Sequence, residues 1–291
     1  MKKFITLLLL LSINLFFSQK ILIDSIQNVI KDKQATVGVG VIYHNNDTLS
    51  INNQYLYPTM SVYKFHQALA ILNYLEKNKL SLNTTYFIKK EDLDPNTYSP
   101  LFKERPEGNF NISIKDLLYY SICLSDNNVS NYLFRYLVNP AQTEDYIKSL
   151  GTDEISIKRT EKEMSQNHDN QYLNWTRPLA TAILFNKILN EKIFKEEYQD
   201  FLIETLIKTN TGENKIKGLL PKDLIVGHKT GNSYRDNGIK VADNDAGFVL
   251  LPNGKKYTLA IFIMNSKETD EVNASIIAKI SQLIYNYYSQ L

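Results

Sequence analysis

The chain contains little that can cross-link it or bind a metal. Its 291 residues include one cysteine, Cys123, and four histidines. One cysteine cannot form an intramolecular disulfide, and the apolar stretch around Cys123 is typical of a buried, inert thiol. The histidines, at positions 44, 66, 168 and 228, have no metal-ligand spacing. We therefore expect no metal and no cofactor, and a fold that is stabilised by packing.

A strong charge bias is also absent. Lys and Arg number 33 against 31 Asp and Glu, which gives a formal net charge of +2, and Lys2 and Lys3 supply this small excess. A nearly neutral chain has no electrostatic preference for polyanions. We therefore expect no nucleic-acid partner.

One long apolar run is present, and it lies at the start of the chain. Two lysines precede the mostly apolar run Phe4–Phe17, and Ser18-Gln19 follows it. This order of basic, apolar and small residues is typical of a secretory signal. The run is shorter than the roughly 20 residues that span a bilayer. We expect cleavage of residues 1–18 near Ser18/Gln19, no stable membrane anchor, and a periplasmic or secreted protein.

A β-hairpin is predicted near each end of the mature chain. Val37–Tyr43 and Thr48–Ile51 flank a His-Asn-Asn-Asp turn, and Asp245–Leu251 and Lys256–Met264 flank a Pro-Asn-Gly turn. Leu224–His228 is a further candidate strand. Elsewhere, apolar residues recur at helical spacing. The predicted helices lie near Ser61–Asn78, Ser113–Tyr120, Asn127–Leu137, Thr143–Leu150, Pro178–Asn190, Glu196–Thr209 and Glu271–Tyr288.

This order of elements predicts two lobes. Residues 19–58 and 210–291 are expected to form an α/β (α+β) lobe whose sheet is assembled from both termini. Residues 59–209 are expected to form an inserted all-α lobe. The groove between two such lobes is the natural place for a binding site.

Three short polar motifs occur in one order: Ser-Val-Tyr-Lys at 61–64, Ser-Asp-Asn at 125–127 and Lys-Thr-Gly at 229–231. Serine is a weak nucleophile at neutral pH and needs a nearby base. Residues three apart in a helix share a face, so Lys64 can approach the Ser61 hydroxyl. Each motif alone is common by chance. Together and in this order they resemble the signature of the penicillin-recognising serine enzymes.

Over essentially its whole mature length the chain resembles the class A β-lactamases, specifically their longer, insertion-bearing branch. Tyr98-Ser99-Pro100 resembles the aromatic rim of the family, and Arg159-Thr160-Glu161 resembles the opening of its catalytic loop. The resemblance implies a five-stranded antiparallel sheet flanked by helices, with a helical lobe against it. It also implies hydrolysis of small-molecule β-lactam antibiotics, hence antibiotic resistance, by a protein that we expect to be a monomer.

The residue chemistry fits acyl transfer. Ser61 can attack the strained ring carbonyl, while its backbone N–H and that of Asn232 form an oxyanion hole. Ser125 can pass a proton to the leaving ring nitrogen. Either Lys64 or Glu161, the latter acting through water, can take the proton of Ser61, and the sequence leaves this choice open.

Deacylation and binding involve the remaining candidates. Glu161 is expected to activate the water that hydrolyses the ester, and Lys229 and Thr230 are expected to recognise the substrate carboxylate. Asp126 is expected to cap the following turn and to stay outside the chemistry. The expected substrate-binding residues are Tyr98, Asn127, Lys229, Thr230, Gly231 and Asn232.

Some positions depart from the family pattern or remain open. Ser165 stands where the family commonly has an asparagine that shares the deacylating water. Arg159 is expected to hold the catalytic loop through a carboxylate pair. Any of Lys215, Lys217 and Arg235 is a further candidate for carboxylate binding, although each is more typical of a plain surface cation.

Two other functions share these motifs. A penicillin-binding DD-peptidase has the first and third motifs but lacks a deacylating glutamate, so Glu161 argues against it. A non-hydrolytic β-lactam sensor domain needs a membrane partner segment, which we do not find in the sequence. A binding protein with coincidental motifs is disfavoured by the ordered triple together with Glu161.

Overall fold

The computed structural model describes residues 19–44 and 47–291, and the predicted signal at residues 1–18 lies outside them. The strands are β1 (Thr36–Tyr43), β2 (Asp47–Ile51), β3 (Tyr57–Pro58), β4 (Thr85–Ile88), β5 (Phe110–Ser113), β6 (Ile155–Ser156), β7 (Trp175–Thr176), β8 (Ile225–Asn232), β9 (Arg235–Asp236), β10 (Ile239–Leu250) and β11 (Lys256–Ser266).

The helices alternate with these strands through the middle of the chain. They are α1 (19–30), α2 (Tyr63–Lys77), α3 (Pro100–Glu104), α4 (Ile114–Cys123), α5 (Asn127–Tyr136), α6 (Pro140–Ser149), α7 (Glu161–Gln166), α8 (Pro178–Asn190), α9 (Glu196–Ile207) and α10 (Asp270–Tyr288). Short 3-10 helices lie at Met60–Val62, Lys90–Asp92 and His168–Leu173.

The main sheet combines strands from both ends of the chain. Its order is β2-β1-β11-β10-β8, every pairing is antiparallel, and the two-residue β9 adds to β10. Strand β1 pairs with β11 along its whole length, from Thr36 opposite Met264 to Tyr43 opposite Tyr257. The predicted antiparallel sheet flanked by helices is confirmed, as are both hairpins.

Two of the strands extend beyond their predicted bounds. Strand β8 continues through the Lys-Thr-Gly motif to Asn232, and β10 begins at Ile239 instead of Asp245. The first half of β10 is buried although it contains Lys240 and Asp243, which form an ion pair of 3.3 Å. Buried charges that are paired in this way interrupt the apolar pattern by which sequence predicts a strand.

The predicted helices are present, with small shifts of their ends. The segment predicted as one helix from Ser61 begins with the 3-10 helix, and α2 follows from Tyr63. Helix α6 begins at Pro140, whose missing N–H suits a first helical position. The small sheets β3-β7-β6 and β4-β5 were not predicted, because strands of two to four residues are too short to show a period.

The two faces of the main sheet carry separate apolar cores. On one face, α1 and α10 pack against β1 and β11. On the other, α8 packs against the sheet, and its Phe185 stacks on Phe65 of α2 at 3.9 Å between ring centroids. Helix α8 therefore links the sheet to the helical segments, and the edge strand β8 faces the start of α2.

Cys123 lies at the end of α4 inside this core. Its side chain is buried and donates to Thr205 O of α9 (3.0 Å). Burial raises the pKa of the Cys123 thiol to about 12. The thiol is therefore protonated at neutral pH, as the inert thiol predicted from sequence would be.

Candidate active site

Ser61 lies in the 3-10 helix that leads into α2, at the point where this helix meets β8. The preceding residue, Met60, has a φ of 42°, a left-handed conformation that is strained for a residue with a long side chain. The hydroxyl of half-buried Ser61 donates to Glu161 Oε1 at 3.1 Å. This hydrogen bond directs the hydroxyl towards Glu161.

Lys64 lies one helical turn further on and is fully buried. Its ammonium donates to Ser125 O (2.8 Å) and Asn127 Oδ1 (2.7 Å), and it lies 3.1 Å from Glu161 Oε1. These three oxygens match the three protons of an ammonium. Burial lowers the pKa of Lys64, whereas the Glu161 carboxylate acts in the opposite direction.

Glu161 is the first residue of α7, and it is 8% exposed. Thr160 caps this helix, with Glu163 completing a capping box: Thr160 N donates to Glu163 Oε2 at 2.8 Å and Glu163 N donates to Thr160 Oγ1 at 3.3 Å. Glu163 is therefore half-buried and belongs to the cap of α7. The cap holds the first turn of α7 and so directs Glu161 towards Ser61 and Lys64.

In the second motif, Ser125 and Asn127 face the site, whereas Asp126 lies in the core. Ser125 has a φ of 56°, which turns the chain between α4 and α5. Asp126 is fully buried and caps α5 by accepting from Val129 N, and it also accepts from Ser99 Oγ and Leu101 N. The capping role predicted for Asp126 is confirmed.

Asn127 connects this motif to the aromatic rim. Its Oδ1 accepts from Lys64, its Nδ2 donates to Thr97 Oγ1 (3.1 Å), and its N–H donates to Tyr98 O (3.0 Å). The Tyr98 side chain is 45% exposed. The rim residue is thus tied to the site through its backbone while its ring faces solvent.

The third motif lies on β8 and joins the second through Lys229. This lysine is fully buried and donates to Ser125 Oγ (2.9 Å) and Thr230 O (2.9 Å). Burial lowers the pKa of Lys229 well below its ordinary value, and the charge of Lys64 lowers it further. The Thr230 hydroxyl lies 2.8 Å from the hydroxyl of Thr211.

Hydrogen bonds and ion pairs therefore bring six of the predicted site residues into one cluster: Ser61, Lys64, Ser125, Asn127, Glu161 and Lys229. Gly231 contacts the segment before Ser61, because a Cβ on this glycine would lie 2.4 Å from Thr59 O. Asn232 ends β8 with an exposed side chain. Within residues 19–44 and 47–291, none of the hydrogen bonds and ion pairs described above joins the Asn232 side chain to the six-residue cluster.

The three additional cations have partners elsewhere. Lys215 pairs with Asp243 at 2.5 Å, and Lys217 pairs with Glu213 at 3.2 Å. Arg235 pairs with Asp270 of α10 at 2.6 Å. Each charge is therefore already compensated, and the geometry singles out none of them as a carboxylate ligand.

The catalytic loop is held differently from our expectation for Arg159. Its guanidinium donates to Asn170 Oδ1 (3.2 Å) and Lys158 O (3.1 Å), so neutral oxygens replace the expected carboxylate pair. Ser165 is exposed and donates to Lys162 O within its own helix (2.8 Å). The hydroxyl of Ser165 therefore does not take the position of an amide beside Glu161.

Asn174 closes the neck of this loop, and sequence reasoning missed its role. Its buried side chain accepts from the N–H groups of Lys158 and Arg159, both at 2.8 Å, and donates to Arg159 O at 2.7 Å. Its carbonyl accepts from Thr59 N (2.8 Å), two residues before Ser61. The available signal was a polar residue, Asn174, between the apolar residues Leu173 and Trp175.

Comparisons with known proteins agree with this geometry. The Beta-lactamase enzyme family matches residues 21–288. A β-lactamase of Bacteroides uniformis is 43% identical over 265 residues, covering 90% of this chain and 90% of that protein. β-Lactamase VEB-1 of Pseudomonas aeruginosa is 38% identical over 266 residues, covering 90% and 89%. A crystal structure of a class A β-lactamase representative from Bacteroides cellulosilyticus matches with a TM-score of 0.91 and 42% identity, covering 94% of this chain and 99% of that one. The chain belongs to the Beta-lactamase enzyme family, as a class A member of its longer, insertion-bearing branch.

Proposed function

We propose that this protein hydrolyses β-lactams through an acyl-enzyme formed on Ser61. One observation carries this proposal: Glu161 Oε1 lies 3.1 Å from Ser61 Oγ and 3.1 Å from Lys64 Nζ. A serine nucleophile, a carboxylate base and a buried cation therefore meet at one atom. The same carboxylate can serve both formation and hydrolysis of the ester.

In the acylation step, Ser61 Oγ bonds to the ring carbonyl carbon and its proton passes to Glu161. The backbone N–H groups of Ser61 and Asn232 would stabilise the oxyanion. When the ring C–N bond breaks, Ser125 donates its proton to the nitrogen and regains one from Lys229. Glu161 then releases its proton to solvent and Lys229 takes one up from solvent, so that Glu161 is again a carboxylate before deacylation. The contact from Lys229 to Ser125 Oγ supports this role, since the hydroxyl accepts from Lys229 and keeps its own proton for donation.

The surroundings of Lys64 favour Glu161 as the base for acylation. Three oxygens surround the Lys64 ammonium, whereas an amine that accepts a proton would present a lone pair. Lys64 then stabilises the negative charge of Glu161 and orients it towards Ser61. The role of Lys64 is electrostatic in this mechanism.

In the deacylation step, Glu161 acts on water. Acylation removes the proton of Ser61 Oγ, so Glu161 loses that donor and can accept from a water molecule instead. The water attacks the ester carbonyl and its proton passes to Glu161, which returns this proton to Ser61 Oγ as the ester C–O bond breaks. General-base catalysis of this kind contributes about 10²–10⁴-fold.

Substrate binding is assigned to the third motif and the rim. Lys229 and Thr230 would bind the carboxylate, Asn127 the substrate amide, and Tyr98 the exposed edge of the ligand.

Lys229→Ala is expected to lower kcat/KM for anionic β-lactams by about 10- to 100-fold, the effect of losing a hydrogen bond to a charged group. Ser125 also loses its donor, so kcat falls together with affinity. Steady-state kinetics with several anionic substrates measure this. Lys217→Ala is the matched control, because that cation pairs with Glu213 away from the cluster. Equal kcat/KM values for Lys229→Ala and the unmodified protein would remove Lys229 from the binding site.

The acyl-enzyme itself is tested with a chromogenic cephalosporin and mass spectrometry. We expect turnover by the unmodified protein, and after brief exposure an adduct on the peptide that contains Ser61. Ser61→Ala should keep the fold by circular dichroism and lose both adduct and turnover. Unchanged turnover by Ser61→Ala would end the proposal.

We also propose the organisation around this site. Residues 19–58 and 210–291 form the α/β lobe and residues 59–209 the helical lobe, with the active site in the groove between them. The protein acts as a monomer and is exported to the periplasm or medium after loss of residues 1–18. Among residues 19–44 and 47–291, no helix has the length and hydropathy to cross a bilayer.

A further inference from the structure

The two N–H groups of the proposed oxyanion hole belong to different elements. Ser61 lies in the 3-10 helix before α2, and Asn232 lies at the end of β8. Donors must be placed within a fraction of an ångström, because a displacement of about 1 Å can cost about 100-fold in rate. The contacts that hold the segment before Ser61 against the sheet therefore determine how well the two N–H groups are placed to stabilise the oxyanion.

Asn244 makes the central contact of this kind. It is fully buried on β10, directly opposite Gly231 of β8. Its Nδ2 donates to Pro58 O (2.7 Å) and Thr59 O (3.2 Å). Its Oδ1 accepts from Ile263 N of β11 (3.2 Å). One side chain thus joins two strands of the sheet to the segment that carries the nucleophile.

The orientation of this amide is determined by its partners. Carbonyl oxygens only accept and a backbone N–H only donates, so the Nδ2 and Oδ1 positions cannot be exchanged. An aspartate of the same shape would present a carboxylate oxygen to two carbonyl oxygens. A leucine would leave both carbonyls without their donor.

The same segment is also held on its other sides. Gly231 contacts it directly, with a Cβ position 2.4 Å from Thr59 O and 3.1 Å from Val62. Thr59 N donates to Asn174 O of the loop that carries Glu161 (2.8 Å). The Thr59 peptide is therefore held between the sheet and the catalytic loop, and Asn244 provides the side-chain donor on the sheet side.

We propose that Asn244 is a positioning residue that sets the separation between the N–H groups of Ser61 and Asn232. It acts through the carbonyls of Pro58 and Thr59 and does not contact substrate. This inference rests on the proposed acyl-enzyme function and adds a residue to it. Its loss impairs stabilisation of the oxyanion more than it impairs binding of the substrate carboxylate.

The first test compares Asn244→Asp with Asn244→Leu across pH. We expect acylation rate constants about 10- to 100-fold below that of the unmodified protein at neutral pH, with little change in substrate dissociation constant. Towards acid pH the Asp carboxyl gains a proton and can donate to one carbonyl. As the pH falls, the acylation rate constant of Asn244→Asp should therefore rise relative to that of the unmodified protein. The same ratio for Asn244→Leu should not change with pH.

The acylation rate constant of each variant is divided by that of the unmodified protein, because titratable groups that both proteins share then affect both rate constants alike. Lys215 donates to the Asn244 main-chain carbonyl (3.3 Å) and pairs with Asp243 in both proteins. A ratio for Asn244→Asp that does not change with pH would contradict the proposal. Asn273→Asp, a buried isosteric change on α10, is the control and should leave the acylation rate unchanged.

The second test is infrared spectroscopy of the acyl-enzyme, trapped in a Glu161→Gln background. An ester carbonyl in an intact oxyanion hole is polarised, so its stretching frequency is low. We expect a shift to higher frequency when Asn244→Asp or Asn244→Leu is added, and none with Asn273→Asp. If neither Asn244 variant folds, Asn244→Ser carries the same measurement.

The outcomes separate the two proposals. If the unmodified protein is neither acylated on Ser61 nor able to turn over a chromogenic cephalosporin, the proposed function fails. If the adduct forms and its carbonyl frequency is the same with and without the Asn244 change, the positioning role of Asn244 fails while the proposed function stands.

Discussion

Glu161→Gln is expected to convert the protein into one that is acylated by β-lactams and remains acylated. The amide cannot take a proton from water, so deacylation should fall by about 10²–10⁴-fold. Acylation should slow less. Removing the carboxylate that raises the pKa of Lys64 leaves burial to lower it, and a neutral Lys64 can then accept the proton of Ser61. Stopped-flow absorbance with a chromogenic cephalosporin and intact-mass analysis separate the two steps.

Glu163→Gln is the matched control for this experiment. Glutamine can replace glutamate in a capping box, so the first turn of α7 should remain held by Thr160. We expect near-normal turnover and no persistent adduct. A deacylation defect in Glu163→Gln but not in Glu161→Gln would show that the catalytic loop has another register, and the DD-peptidase alternative would regain support.

Asp126→Ala is expected to cause a large loss of stability. The carboxylate is fully buried and accepts from Ser99 Oγ, Leu101 N and Val129 N. Its removal leaves three buried donors without a partner and removes the cap of α5. We expect the free energy of unfolding to fall by about 3–5 kcal/mol, measured by urea denaturation.

An exposed cap provides the comparison for Asp126. Thr269 caps α10 by accepting from Val272 N, and Thr269→Ala should cost about 1 kcal/mol. If Asp126→Ala lowers the free energy of unfolding by no more than Thr269→Ala does, the buried carboxylate contributes no more stability than an ordinary helix cap. Catalysis should weaken in Asp126→Ala as well, because Ser125 and Asn127 flank the lost anchor.

The sequence predicts those helices and strands whose apolar residues recur at a clear period, and those site residues whose side chains carry a reactive group. Apolar periodicity indicated α2, α8 and α10, β-branched residues indicated β1, and the Pro-Asn-Gly turn between two apolar segments indicated β11. The motifs indicated the cluster around Ser61 because a hydroxyl, an amine and a carboxylate at these spacings have few other uses. Each motif is local in the chain, and the common order of the three motifs is what made them informative.

The residues that were missed act over long separations. The Asn174 main-chain carbonyl accepts from Thr59 N, and the Asn244 side chain donates to Pro58 O and Thr59 O, in each case more than a hundred positions earlier. An isolated asparagine within a strand or loop carries no sign of its partner. The partner of Arg159 was mistaken for the same reason: the sequence shows a cation near a loop but not which oxygen it reaches.

Strand β1 cannot acquire its central neighbour until most of the polypeptide has been synthesised, because it pairs with β11. Before that, β2 is its only available sheet partner, and an isolated two-stranded hairpin is marginal in water. Contacts so distant in the chain raise the contact order and slow folding relative to a protein of local contacts. The main sheet of a nascent chain therefore stays incomplete until β11 has been synthesised, and a chain without its completed sheet is the form that the proposed export through a narrow channel would require.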